Sequence, residues 1–159
     1  MLENLRDFPR DVLDIFCEDM SDGIVCGFTP TVNKEIITIS KGIIKYHGVV
    51  YVMSEPINIE YYETEKDVML KLCFGDEIQD KDYKINEFQI NIDSDMNLLP
   101  NQIELGRFRL KKGAYLRSEY QDLYDFTTEY NTINIVHVKY AGQHQHTLNK
   151  TILQYFAKE

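Results

Sequence analysis

The sequence predicts a mainly β fold, an antiparallel sandwich or open barrel with an N-terminal helix and a short C-terminal helix. Three observations lead there. Runs such as "NEFQINID" (86–93), "QIELGRFRL" (102–110) and "TINIVHVKYA" (132–141) alternate apolar and polar residues over most of their length. That is the period of a strand with one face on a core and the other in solvent or against a partner. Turn residues punctuate these runs at the spacing of a sandwich or open barrel. The aromatic residues are 11 Tyr and 8 Phe with no Trp, and tyrosine with β-branched residues suits pleated, half-buried surfaces. At 159 residues and 43% hydrophobic content, the chain suits one domain that buries roughly two-thirds of its unfolded surface. That apolar surface offsets chain entropy and excludes a disordered chain.

The elements follow in order. A first helix is expected over Asp7 to Met20: Asp7 caps it, Pro9 suits its first turn, and Val12, Leu13, Ile15, Phe16 and Met20 approximate one apolar stripe. "SDG" at 21–23 ends it. "GIVCGF" leads through Pro30 to a strand at "EIITIS" (35–40), and "KGIIKYHGVVYVM" reads as a hairpin bent at His47-Gly48. Further strands are expected at "INIEYYE" (57–63) and "DVMLKLCF" (67–74), then at the three alternating runs named above. "SEYQDLYDFTTEYN" (118–131) reads as either a short helix or a loop. "TLNKTILQYFAKE" closes the chain as a helix with Leu148, Ile152, Leu153 and Phe156 on one face. The organisation is then 1–22, a helical segment for docking or core packing; 23–141, the β domain; and 142–159, a loop and the C-terminal helix.

Charge narrows the function classes. Seventeen basic against 26 acidic side chains give a formal charge of −9, which repels a phosphate backbone. The densest basic stretch, "GRFRLKKGAYLR" (106–117), alternates charge with apolar residues as a half-exposed strand does, so no nucleic-acid partner is expected. Cys17, Cys26 and Cys73 are odd in number and lack CxxC spacing; each lies in an apolar run, which suits buried free thiols in a reducing compartment. "MLENLRDFPRDV" has no basic region followed by an apolar core, so no signal peptide is read. No apolar run approaches the ~18 residues of a membrane span, so no membrane partner is expected.

Chemistry concentrates in "GQHQHT" (142–147). On a strand, His144 and His146 would point to one face and could bind one metal. Two ligands are too few within one chain, although three subunits giving two histidines each would complete a six-coordinate site on an axis. The competing reading is a polar loop before the last helix, with Thr147 as its cap. The expectation is the loop: His144 and His146 are metal candidates that bind none, and no cofactor is expected. "DEIQDKDY" (76–83) carries four acids but lacks the glycine and closing glutamate of a calcium loop, so it reads as a solvated acidic hairpin loop. Ser21 and Ser40 have no GxSxG context and no cysteine has a neighbouring histidine, so catalysis is not expected. Tyr61, Tyr62, Tyr115, Tyr120, Tyr124 and Tyr130 suit a sugar-stacking surface, or equally ordinary sheet and interface positions.

The stretch "DGIVCGFTPTVNKEIITISKGIIKYHGVVYVM" resembles the small β-modules of phage baseplate and tail-fibre proteins, in which "V-S-x-G-x-A-x-V-x-G" hairpins recur. "QIELGRFRLKKGA" is similar to a strand that follows in such proteins. The likeness covers residues 20–55 and 100–117; it departs at Ile43, Ile44 and Tyr46, where small residues often sit, and this chain has no long shaft. The resemblance implies a structural part of a prophage tail or phage-tail-like bacteriocin of a low-GC Gram-positive bacterium, a baseplate/tail-fibre adaptor, cap or chaperone. It implies other tail or baseplate proteins and a receptor-binding fibre as partners, a homo-oligomer in the assembly, and residence in the bacterial cytoplasm until assembly and lysis. The first helix is expected to offer Phe8, Val12, Ile15 and Phe16 to such a partner or to its own core. A stand-alone carbohydrate-binding or metal-binding β module is the alternative.

Overall fold

The computed structural model describes residues 11–75, 78–80, 83–85, 88–143, 145 and 147–158. A helix, α1, covers residues 11–16. The strands follow: β1 (Gly23–Cys26), β2 (Pro30–Asn33), β3 (Ile36–Ile39), β4 (Gly42–Tyr46), β5 (Val49–Met53), β6 (Ile57–Glu60), β7 (Asp67–Phe74), β8 (Ile78–Asp80), β9 (Tyr83–Ile85), β10 (Phe88–Asp93) and β11 (Gln102–Arg109). A 3-10 turn at Tyr124–Thr127 and helix α2 (Lys150–Lys158) complete the chain.

Three antiparallel three-stranded sheets form, in the orders β1-β4-β5, β2-β3-β6 and β10-β7-β11, beside the β8-β9 hairpin. Among the described residues they make a sandwich-like arrangement and do not close into a barrel. One apolar core joins them: Ile24, Ile44 and Met53 from the first sheet, Ile37 and Ile39 from the second, and Val68, Leu70, Leu72, Phe74, Leu105 and Phe108 from the third. Each such side chain stabilises the fold by roughly 1.5–3 kcal/mol relative to its exposed state. β7 is the central strand of its sheet and is buried on both faces, which is why "DVMLKLCF" is near-continuously apolar.

Turn chemistry sets the local register. His47 (φ 49°) and Gly48 (φ 77°) both lie in the left-handed region, the two-residue hairpin turn that matches strand twist. Gly27 and Gly42 let two backbones touch: a Cβ on Gly42 would stand 2.2 Å from the Cys26 carbonyl oxygen and 2.8 Å from the Gly27 Cα.

Several expectations are corrected. Within the described residues the first helix stops at residue 16 and gives way to turns. The Lys45 ammonium, buried on β4, draws the carbonyls of Cys17 (2.8 Å), Glu18 (3.1 Å) and Met20 (2.8 Å) out of any helical ladder. Residues 132–141 are no regular strand: Thr132, Asn134 and Tyr140 make isolated bridges to Arg117, Arg107 and Ile24. Here the Asn134 side chain accepts from the Val136 N–H (2.9 Å) and Val138 N–H bonds the Ile135 carbonyl (3.1 Å), so a local turn replaces the ladder. The last helix is capped by Asn149, whose Oδ1 accepts from the Thr151 N–H at 2.8 Å, and Thr147 instead exchanges two backbone bonds with Tyr140. Its inward residues are Ile152 and Tyr155, while Leu148, Leu153 and Phe156 are exposed. Of the thiols, Cys17 is buried, Cys73 half-buried and Cys26 exposed.

Candidate functional site

A cleft of about 350 Å³ opens where β1, the β4–β5 turn, β11 and the segment around 137–139 meet. Asp22, His47, Glu104, His137 and Lys139 line it with Tyr46. The left-handed turn presents His47, whose ring lies against Tyr46, tilted by 40° with the centroids 4.2 Å apart. Burial, and then Asp22, push the Tyr46 hydroxyl above its ordinary value; that hydroxyl donates to the Pro100 carbonyl. Glu104 is buried and grips Arg107 through two bonds of 2.7 Å, so its charge is already matched. The cleft can hold a small polar ligand. Among the described residues no group of three or more His, Cys, Asp or Glu side chains is placed to share a metal ion.

Across the β7–β11 register from Glu104 lies a feature that sequence reasoning missed. Lys71, on β7, is 2% exposed, and its ammonium donates to Asp93 Oδ2 (3.1 Å) and to the Asn97 carbonyl (2.8 Å). The Asp95 N–H bonds Asp93 Oδ1 (2.9 Å) and the Asn97 N–H bonds Asp95 Oδ1 (3.0 Å), giving consecutive Asx turns. The Asp95 N–H, and after it Lys71, hold the Asp93 carboxyl below its usual range. Asp93, Asp95, Asn97 and Glu104 follow the spacing of calcium loops, with Leu98 where those loops need glycine. A buried ammonium supplies the positive charge. The signal was the alternation "D-S-D-M-N"; what it lacked was the position of Lys71, 22 residues earlier in the chain than Asp93.

Five of the candidate tyrosines fall into three settings. Tyr61, Tyr62 and Tyr115 come together around a hollow of about 310 Å³, with Glu35 at its edge. Tyr61 is buried; its hydroxyl donates to the Lys34 carbonyl and accepts the Leu116 N–H at 3.2 Å, pinning the 113–116 segment beside β6. Tyr62 and Tyr115 are 74% and 61% exposed. The Tyr62 hydroxyl donates a hydrogen bond to the Glu60 carboxylate, which raises that hydroxyl above its ordinary value. Tyr120 instead stacks on Phe126 in the core at 4.2 Å, and its hydroxyl bonds the Ile133 carbonyl. Tyr130 lies under Lys111 and Arg109.

The remaining candidates sit elsewhere. His144, His146 and Phe8 lie outside the described residues. Val12, Ile15 and Phe16 are exposed on α1. The arginines of the basic stretch are each spoken for: Arg107 by Glu104, Arg109 by Asp67 (2.6 Å) and Arg117 by Asp125 (2.5 Å). Among the described residues no helix is long and apolar enough to cross a membrane. Compared with family models, curated proteins and solved structures, the chain finds no match.

Proposed function

We propose that this chain is a non-catalytic structural component of a phage-tail-like particle, a baseplate/tail-fibre adaptor that holds the receptor-binding fibre. One observation supports the reading: apolar faces look outward at both ends of the described chain. Ile15 and Phe16 are 72% and 71% exposed, with Val12 one turn before them. On α2, Leu153 and Phe156 lie three residues apart and Phe156 is 72% exposed. Singly scattered apolar residues are ordinary on a surface, whereas clusters at i, i+3 and i+4 suit docking into a partner's groove. The partners on this reading are other tail or baseplate proteins and the fibre, with the adaptor itself repeated in the assembly.

Electron microscopy of particles from the producing strain tests it. Deleting the gene is expected to leave tails without attached fibres, and complementation with an Ile15→Asp/Phe16→Asp variant is expected to leave the defect in place. Intact, fibre-bearing tails from the deletion strain would overturn the reading, as would a catalytic activity that follows the pure protein.

A further inference from the structure

Two shallow hollows flank Tyr62. The first, of about 310 Å³, has Tyr61 and Ala114 in its lining with Tyr115 and Glu35. The second, of about 290 Å³, shares Tyr61 and Tyr62 and adds Glu60, Glu63 and Asn91 over Ile92 and Phe108. Each is near the lower end of the volumes that hold small ligands. From this pair of hollows we propose that the chain binds a neutral oligosaccharide, laid across the Tyr62 ring with one sugar unit in each hollow. This site stands whether or not the chain is a tail component.

The recognition chemistry follows from what lines the hollows. The exposed phenol rings of Tyr62 and Tyr115 offer flat apolar faces for the C–H faces of pyranose rings, at low cost in side-chain entropy. The Tyr62 ring is held by its bond to Glu60, and the floor by the two bonds at the Tyr61 hydroxyl, so the platform is pre-organised. Around the rings stand acceptors that hydroxyl groups satisfy: the carboxylates of Glu35, Glu60 and Glu63, and the amide of Asn91, which also donates.

Charge selects the class of sugar. Neither hollow has a lysine or arginine among its described lining residues; Glu63 is paired with Lys66 at 3.0 Å, and the carboxylates of Glu35 and Glu60 repel uronates, sialates and phosphate-bearing polymers. A proline-rich peptide also docks between tyrosines. Its prolines have no N–H to give the carboxylates, however, whereas every free hydroxyl of a neutral sugar is a donor.

Isothermal titration of the full chain with neutral linear glucose and N-acetylglucosamine oligomers, chosen as hits from a glycan array, tests the site. Binding of at least one neutral glycan is expected, with a trimer binding at least roughly tenfold tighter than its monosaccharide because only the trimer spans both hollows. Tyr62→Ala and Tyr115→Ala are each expected to weaken binding by roughly tenfold or more. Tyr62→Phe keeps the ring but loses its bond to Glu60, and is expected to weaken binding by no more than about threefold, well short of Tyr62→Ala. Tyr124→Ala, at an exposed tyrosine outside both hollows, is expected to bind as the unaltered chain does. The three altered sites are exposed, and circular dichroism checks that each variant is folded. Absence of binding to every neutral glycan on the array overturns the proposal. So does binding that Tyr62→Ala and Tyr115→Ala leave unchanged, equal affinity for monomer and trimer, or selective capture of an anionic glycan or a proline-rich peptide at these residues.

Discussion

Asp125 shows how much a single carboxylate can organise. Its two oxygens take both terminal nitrogens of Arg117 (2.5 and 2.6 Å), the Gln121 N–H (2.8 Å) and the Thr128 hydroxyl (3.0 Å). The Arg117 guanidinium first, and then the Gln121 N–H, hold the Asp125 carboxyl far below the usual carboxylate range. A carboxyl depressed on folding contributes stability that is complete above its unfolded value, about 3.9, and is lost as pH falls through the folded one. Asp93 and Asp95 are shifted the same way. Thermal melts are therefore expected to be flat from about pH 7 to 5 and to fall below about pH 4, and Asp125→Asn is expected to flatten that acid limb. An identical acid limb in the variant would refute the assignment. Lys71→Met removes the charge that closes the 93–97 turns, leaving the Asn97 carbonyl and Asp93 without it. It is expected to lower Tm by roughly 3–10 °C, whereas a chelator added to the unaltered chain is expected to leave Tm where it was. For His144 and His146, metal analysis of untagged protein is expected to find none; about one iron or zinc per three chains, abolished by the double alanine variant, would reverse that expectation.

At the scale of elements, the turns that follow α1 are held by one side chain of β4. The Lys45 ammonium has three N–H donors and three carbonyl partners in the turns after α1, so it is fully satisfied although buried. Burial pushes the adjacent Cys17 thiol up, against the pull of Lys45. Lys45→Met is expected to free residues 11–20: hydrogen exchange at the Cys17 and Met20 amides should approach that of open chain, while β7 keeps its protection. Equal protection of both regions in the variant would show that other contacts hold α1. Such long-range lysines explain where sequence reading stopped. The β4–β5 hairpin was legible because His47-Gly48 carries its own turn chemistry, and β7, β10 and β11 were legible from their hydrophobic pattern and alternation. Residues 132–141 alternate just as well, yet Asn134 competes for the backbone and the segment docks by isolated bridges. The tyrosines at 61, 62 and 115 could be named as sugar-stacking candidates from the sequence. Their union around one hollow, and the diversion of Tyr120 into the core, depended on tertiary packing that a single sequence does not display.

Across the whole molecule, apolar faces at the two ends coexist with a formal charge of −9. The two act in opposite directions on self-association. Copies of an acidic chain repel one another, and added salt screens that repulsion: the Debye length falls from about 10 Å at 0.1 M to about 3 Å at 1 M. Burial of Ile15, Phe16 and Phe156 against a second copy gains by removing apolar area from water and does not weaken with screening. An interface made of ion pairs would behave oppositely, because salt weakens surface salt bridges. The sign of the salt dependence therefore separates the two kinds of interface. Sedimentation of the pure chain is expected to show monomer in dilute buffer and a growing oligomer as sodium chloride rises towards about 0.5 M. Ile15→Asp/Phe16→Asp, with Phe156→Asp added in a second variant, is expected to keep the chain monomeric throughout that range. An oligomer that dissociates as salt rises would place the contact between copies on charged surfaces, and one indifferent to these substitutions would place it away from the helices.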